Sequence, residues 1–365
     1  MHHFIFPTKD SWISSGSNHT TEVTETDQNF GQDQILELKK NFFNLSFDYQ
    51  TRALIQFDLT AVSKSVAAGD ITDPTYYLRL YEAQGNQELS TEYKLAAFPL
   101  SQSWDEGIGK FGDSPKVTDG VSWDNRDNKR GATATTWEQS GTSYISSSGN
   151  LASQSFSYSS PDINMNVTDI VNNWLDDTNN NHGFLLRYSG SQETDSTTFG
   201  QLKFFSSNTN TIYAPKLEVR WDDHLPCTGS NTGSLTELTM SGLADNYLYM
   251  RGLRESYKEN DRVKFRVGAR KRYIQKTFNQ AVQTITGSFI TEGSGSYSIK
   301  DVATGETIIP FSAHTSMSCD TNGPYFIQWL DGFYPDRVYK VLLKLKYDDG
   351  QEQIFDDNFE FKVKR

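Results

Sequence analysis

The stretch QSWDEGIGKFGDSPKVTDGVSWDNRD at 102–127 gathers the residue types that do chemistry: carboxylates, two indoles and glycines that let a backbone turn tightly. Three chemistries would use such a set. A helix-flanked calcium loop needs ligands at alternate positions followed by glycine, D-x-[DN]-x-[DN]-G, so that the oxygens converge. Asp105–Glu106–Gly107 and Asp124–Asn125–Arg126–Asp127 both fail that spacing. A cation site built from loop carbonyls with Asp105, Glu106 or Asp127 stays open. A glycosidase needs two carboxyl groups about 5–10 Å apart across a sugar, and the chain holds so many Asp and Glu that sequence singles out no pair. The third use is scaffolding. Trp104 and Trp123 can each cover the end of a sheet while the indole N–H finds a loop carbonyl. Arg126 can bridge carboxylates such as Asp113 or Asp119. We therefore expect a structural, Ω-like loop held by Trp104, Trp123 and Arg126, with a face available to a neighbouring subunit.

Other chemistry is sparser. His2, His3, His19, His182, His224 and His314 are scattered, and the adjacent pair points to opposite sides of an extended chain, so no zinc site is expected. No G-x-S-x-G elbow, P-loop or H-E-x-x-H occurs, and neither cysteine has the context of a nucleophile. We expect no enzyme activity and no cofactor or metal. Sugar binding by stacking on exposed rings is a separate class. Among Trp12, Trp104, Trp123, Trp137, Trp174, Trp221 and Trp329, the freest is Trp137, in the long polar run GATATTWEQSGTSYISSSG (131–149) together with Tyr144. Trp137 and Tyr144 are thus the candidate glycan contacts, against the alternative of a packed loop tip.

The run RVKFRVGARKRYIQK at 262–276 carries Arg262, Lys264, Arg266, Arg270, Lys271, Arg272 and Lys276 and no acid. Alternation sets Arg262, Lys264 and Arg266 opposite Val263, Phe265 and Val267, so the plain reading is the solvated face of one strand. The sharper reading is docking onto an acidic protein surface.

Behind these residues stands an all-β chain. At 365 residues it has room for two domains. Short β-branched and aromatic runs alternate with turn chemistry, as in RALIQFDL (52–59), TYYLRLYEA (75–83), YKLAAFPL (93–100), GFLLRYSG (183–190), GQLKFFSS (200–207) and APKLEVRWDD (214–223). In TYYLRLYEA, Tyr76, Leu78 and Leu80 share one face and Tyr77, Arg79 and Tyr81 the other. One helix is predicted in MNVTDIVNNWLDD, with Thr168 as N-cap and Ile170, Val171, Trp174 and Leu175 on its apolar side. The polar segment 223–235 reads as a linker. Beyond it RVKFRVGA (262–269), YFIQWL (325–330), VYKVLLKLKY (338–347) and NFEFKVK (358–364) outline an immunoglobulin-like sandwich. We predict a jelly-roll-like β-sandwich at 1–222 followed by an immunoglobulin-like β-sandwich at 236–365.

Charge and cysteine narrow the partners. Before Pro226 there are 16 Lys+Arg against 29 Asp+Glu; from Pro226 onward, 18 against 17. The net charge of −12 argues against nucleic acid, whose phosphates are bound by Lys and Arg. No apolar run reaches the roughly 20 residues that span a bilayer, and the start lacks a secretory pattern, so we expect no membrane contact and a chain mature from its first residue. Cys227 and Cys319 are compatible either with one disulfide or with two buried thiols.

The order of motifs across 1–222 resembles the DNRLRE-type β-sandwich domains, related to a class of carbohydrate-binding modules. It is carried by KDSWISSGS (9–17), RALIQFDLTAVSKSV (52–66), YYLRLYEA (76–83), SWDEG with GVSW (103–107 and 120–123), MNVTDIVNNWL (165–175), HGFLLRYS (182–189) and GQLKFFSSNTNTIYAPKLEVRWDD (200–223). Versions with FPTKD, SQSWDEG and GVSWDNRD look like those of tailed-bacteriophage structural proteins. The resemblance implies a virion component in the neck, collar, tail or baseplate, assembled in the host cytoplasm. Its partners would be other virion proteins and symmetric copies of itself. The reading that differs in class is a carbohydrate-binding or host-receptor-binding module on a phage particle or a cell surface.

Overall fold

The computed structural model describes every residue except 17–23, 44–45, 86–91, 130–131, 158–161, 242–244, 275–277 and 279–286. It is an all-β protein of sandwich architecture. The described residues form two compact units. The larger comprises Ile5–Asp70 and Pro74–Val219; the C-terminal unit comprises Arg220–Arg365 together with Met1–Phe4 and Ile71–Asp73.

The chain opens with β1 (His2–Ile5) and β2 (Pro7–Ser14), then β3 (Ile35–Phe43), β4 (Ser46–Phe57) and helix α1 (Thr60–Ala67). Next come β5 (Thr75–Leu80), β6 (Glu82–Gly85), β7 (Glu92–Pro99), and the short β8 (Asn125–Asp127) and β9 (Thr135–Thr136). The larger unit is completed by β10 (Ala152–Ser157), β11 (Ile163–Asn166), helix α2 (Thr168–Leu175), β12 (Phe184–Tyr188), β13 (Gly200–Phe205) and β14 (Lys216–Arg220). One of its sheets runs β10-β7-β12-β4-β3-β13-β6, with β2 also paired to β4; β14, β5 and β11 lie side by side in the other. The strands bury alternate residues: Tyr76, Leu78 and Leu80 on β5, Leu36 and Leu38 on β3, Leu202 and Phe204 on β13. That period-2 alternation is what a pleated strand with one covered face requires.

Both helices differ in detail from expectation. In α2, Ile170, Val171 and Trp174 are buried as predicted and Leu175 only partly. Thr168 is not the cap. Val167 occupies that position, Asn166 Oδ1 accepts the Thr168 N–H, and the Thr168 hydroxyl instead accepts the Tyr76 N–H at 2.9 Å. Helix α1, TAVSKSVA, follows directly on the β4 run and is a second helix beyond the one expected. Asp58 starts it by accepting from both the N–H and the hydroxyl of Thr60, a local competition of side chain with backbone that ends a strand.

The region between β7 and β10 is a cover laid on the sheet. Leu100, Trp104, Val121 and Trp137 close a second apolar cluster over Ile13 of β2, Leu54 of β4, Ala96 and Phe98 of β7 and Leu185 of β12. Its polar centre is the buried Asn29. The amide donates to the carbonyls of Glu106 (2.7 Å) and Val121 (2.8 Å), and its oxygen accepts from the N–H groups of Gly31 and Gly109. One side chain thus satisfies backbone groups of three chain segments that no strand pairing reaches. Gly107, at φ +82°, is glycine because a Cβ there would strike Asp119 O and the Asn29 side chain.

The C-terminal unit carries β15 (Thr236–Glu237), β16 (Asn246–Arg251), β17 (Ser256–Lys258), β18 (Arg262–Lys271), β19 (Ser288–Phe289), β20 (Gly295–Asp301), β21 (Thr307–Ile309), β22 (Ser318–Asp320), β23 (Gly323–Trp329), β24 (Val338–Lys346) and β25 (Glu352–Lys364). One sheet runs β15-β19-β18-β23-β22, with β16 on β18, and the other β17-β25-β24-β20-β21. The core is aromatic: Phe265 and Tyr297 stack on Phe326 at 5.1 and 3.9 Å between centroids, and Phe361 meets Phe265 at 5.2 Å. Phe4 belongs to the same cluster.

Cys227 and Cys319 form a disulfide that spans 92 residues. In the chain-entropy account a loop of that length is stabilised by about 4–5 kcal/mol through restriction of the unfolded chain. The segment read as a linker is fastened here as well. Cys227 N–H donates to Glu292 Oε2, Leu225 N–H donates to Ser318 Oγ, and Leu225 O accepts the Cys319 N–H.

Candidate functional site

The residues singled out in sequence come to rest in several places. Trp104 is buried, and its indole donates to His182 O at 2.9 Å, while the Lys9 ammonium donates to Trp104 O and lies 4.8 Å from its ring centroid. Trp123 is half-buried, with the Arg52 guanidinium 4.8 Å from its centroid. Arg126 does not bridge Asp113 or Asp119. Its Nη1 donates to Ser103 O and Ser103 Oγ, holding the same loop by backbone instead of by charge.

The pairing of Trp137 and Tyr144 as a sugar platform is corrected by their burial. Trp137 is 5% exposed, donates to Ser122 O at 2.9 Å and sits inside the apolar cluster, so it has no face to offer. Its polar neighbours in sequence suggested a wet loop, but the loop folds back onto the sheet. Tyr144 is half-buried against Phe98, and its hydroxyl accepts from Arg187.

Beneath that cover lies a closed cation pair. Arg52 donates to both carboxylate oxygens of Glu193 and to Gly141 O, and Arg187 Nη1 pairs with Glu193 Oε2. Burial pulls the Arg52 guanidinium down to about 10. Burial and the neighbouring Arg52 lower that of Arg187.

The basic run forms β18 with the expected alternation, Val263, Phe265 and Val267 buried and Arg262 and Lys264 exposed. Much of its charge is met within its own unit. Lys264 and Arg266 both pair with Asp320, at 2.9 and 2.6 Å, and Lys264 Nζ lies 3.6 Å from the Tyr325 centroid. Arg262 stacks on Trp329, Arg270 on Tyr247, and Arg272 pairs with Asp245 at 3.5 Å. Lys271 is exposed, and Lys276 lies outside the described residues.

A hollow that sequence reasoning did not single out lies in the larger unit. Its volume is about 190 Å³, and it is lined by Trp12, Glu25, Asp33, Ile35, Glu37, Lys39, Thr51, Phe111, Gln201 and Lys203. Register explains its place. Strands β2 and β3 share one edge of β4, the first ending at Ser14↔Thr51 and the second beginning at Lys40↔Gln50. Thr51 sits at that fork, accepting the Lys39 N–H and donating to Glu37 O. On β3 the residues opposite the buried Leu36 and Leu38 are Ile35, Glu37 and Lys39. They face Phe205, Lys203 and Gln201 across the β3–β13 ladder.

The walls combine apolar and polar surfaces. Trp12 stacks on Phe30 at 3.7 Å and donates to Asp33 Oδ2 at 3.1 Å. Phe111, 60% exposed, lies 6.3 Å from Trp12 at the rim. Glu37 takes a hydrogen bond from Gln201 Nε2 and has Lys39 Nζ at 3.8 Å. Burial raises the Glu37 carboxyl above its ordinary range, against the pull of Lys39, Lys203 and Gln201. Asp33 is raised by burial too, opposed by the Trp12 indole and by the N–H groups of Gln34, Phe111 and Ile35. Carboxylates, an amide and ammonium groups converge beside an exposed ring, which suits a ligand bearing hydroxyls on its edge and C–H groups on its face.

Residues 3–137 match the model of carbohydrate-binding module family 96. Eight of the ten lining residues fall inside that segment, Gln201 and Lys203 being the exceptions. The larger unit therefore contains a region like a carbohydrate-binding module. No curated protein matches the chain. Among solved structures, the adhesin domain of Epf from Streptococcus pyogenes aligns over 100% of this chain and 91% of its own, at 9% identity and a TM-score of 0.18. At that score the superposition carries no argument. None of these findings bears on a DNRLRE-type or virion origin.

The signal that could have found the hollow was present. ILELK (35–39) and GQLKFF (200–205) both alternate apolar with polar residues, and their polar rows are what the ladder brings together.

Proposed function

We propose that the larger unit binds carbohydrate in the hollow between Trp12, Phe111, Glu37, Lys39, Gln201 and Lys203, without turning it over. The observation that carries this reading is the coincidence of the hollow with the segment resembling a carbohydrate-binding module. The chemistry agrees with it. A carboxylate accepts from two neighbouring hydroxyls, an amide both donates and accepts, and ammonium groups donate to ring and hydroxyl oxygens. Phe111 offers an apolar face to the C–H side of a pyranose. The Cys227–Cys319 disulfide supports display outside a reducing cytoplasm, on a particle or cell surface where glycans are met.

A glycan array read with the intact chain, followed by calorimetry on the best hit, tests the reading. Phe111→Ala should weaken binding about tenfold, ~1.4 kcal/mol, while an exposed ring shifts stability by only about 0.5 kcal/mol. Glu37→Gln should weaken binding similarly and leave stability equal or higher at neutral pH, since it removes a partly desolvated charge. A blank array, or a hit that both variants bind unchanged, would sink the proposal; release of reducing ends from the bound glycan would replace it with catalysis.

A further inference from the structure

Three half-buried rings, Tyr81, Phe205 and Tyr213, form a contiguous group on the larger unit. Phe205 and Tyr213 are stacked at 5.7 Å and 24°, and Tyr81 meets Tyr213 at 5.4 Å. Their place in the fold is what makes them informative. Phe205 points away from the buried Leu202 and Phe204 of its own strand, so its ring is not part of the row that fills the sandwich. It is instead the next outward residue after Gln201 and Lys203, both of which line the hollow. At ~3.4 Å per residue the row Gln201–Lys203–Phe205 extends about 14 Å, further than one pyranose ring. The group is backed by closed charge: Nζ of the buried Lys216 and the Arg79 guanidinium, itself paired with Glu218 at 3.4 Å, lie 5.4 and 5.7 Å from the Tyr81 centroid, so what this place offers a ligand is its rings.

We infer that the ligand is a linear oligosaccharide that occupies the hollow with one residue and continues along β13 onto a second, aromatic subsite made by Phe205, Tyr213 and Tyr81. This rests on the carbohydrate reading of the hollow and adds to it a chain length and a direction. Continuity selects the occupant. The polar row on β3 and β13 leads without interruption from the hollow to the rings, so a chain held at Glu37 and Lys203 is delivered to Phe205. A single terminal sugar would be bound by the hollow alone and would make no use of the rings.

The test is isothermal calorimetry of the full chain with two homologous ladders one to six residues long, neutral cello-oligosaccharides and anionic oligogalacturonates. In at least one ladder, affinity should rise about tenfold or more from monomer to tetramer. Phe205→Ala and Tyr213→Ala should abolish that rise while leaving monomer affinity within about twofold. The length dependence of the unmodified chain stands by itself should either variant fold poorly. A flat ladder, or a rise that both variants keep, overturns the second subsite and leaves the hollow intact as a site. Absence of binding across both ladders overturns this inference, and together with a blank array it overturns the carbohydrate reading as well.

Discussion

Two rows of charged side chains, each on the outer face of a strand, have opposite fates in this molecule. On β18 of the C-terminal unit, Lys264 and Arg266 close on Asp320, and Arg262 and Arg270 lie on aromatic rings. Across β3 and β13 of the larger unit, Glu37, Lys39, Gln201 and Lys203 face a hollow with an exposed phenylalanine at its rim. The first row is conspicuous in sequence and is largely neutralised by its neighbours; the second is inconspicuous and surrounds free volume. A run of like charge records what one strand carries, whereas a site depends on what adjacent strands place opposite it. Charge that is closed should report in stability, and charge that faces the hollow should report in binding.

The strongest test of that rule uses the most enclosed charge. Glu193 is buried and shared by Arg52 and Arg187. Glu193→Ala leaves two guanidinium groups facing one another without an anion, and should cost about 3–5 kcal/mol. Chemical denaturation measures it. The molecules that remain folded should bind glycan with unchanged affinity; a large loss of affinity at full folding would break the comparison, because a closed charge would then be acting on the site.

Asp320 is the milder case. It is partly exposed, as are both its partners, so Asp320→Asn should cost about 1 kcal/mol and leave glycan binding untouched. Thermal melts with and without 1 M salt check the origin of the effect, since a partly exposed ion pair weakens on screening. If Asp320→Asn lowered glycan affinity, the β18 row would have to be counted as part of a binding surface.

How far sequence could see follows from the same contrast. Alternation within one strand is local, so β5, β13, β18 and β24 were readable, and the apolar side of α2 with them. Pairing between distant strands is not local. The hollow draws on Trp12, Glu37, Phe111 and Lys203, which become neighbours only through the β2–β4, β3–β4 and β3–β13 ladders and the loop stapled by Asn29. Trp137 misled for a related reason: its sequence neighbours are polar, but the surface that buries it comes from β2, β4, β7 and β12. Cys227 and Cys319 could be seen as a pair, yet only the packing of β22 brings them together.

The smallest expected effect is one of sign, and it separates the two units by pH. Asp320 is held below the ordinary carboxylate range, where the hydrogen bonds from Arg266 and Lys264 overcome burial. The stability it supplies is present above about pH 4 and is lost as acid protonates it in the folded state. In the larger unit Asp10 and Glu106 shift the other way. Burial raises them to about 6 and about 7 respectively; at Glu106 the Asp10 N–H, donating to Oε1 at 2.9 Å, opposes the rise and the Asp10 carboxylate adds to it. Between the unfolded value of 4.5 and about 7, folded Glu106 retains a proton that the unfolded chain has released. Stability therefore falls as pH rises through that window and levels off above it. Thermal melts from pH 4.5 to 8 should show the larger unit losing stability on the way up and the C-terminal unit not losing it, since burial lowers the Met1 ammonium of that unit and its neutral form is favoured in the folded state as pH rises. Glu106→Gln should lessen the larger unit's decline, because an amide carries no proton to lose, and should leave the part that Asp10, Asp33 and Glu37 supply; a decline of unchanged steepness in that variant would remove Glu106 from the slope.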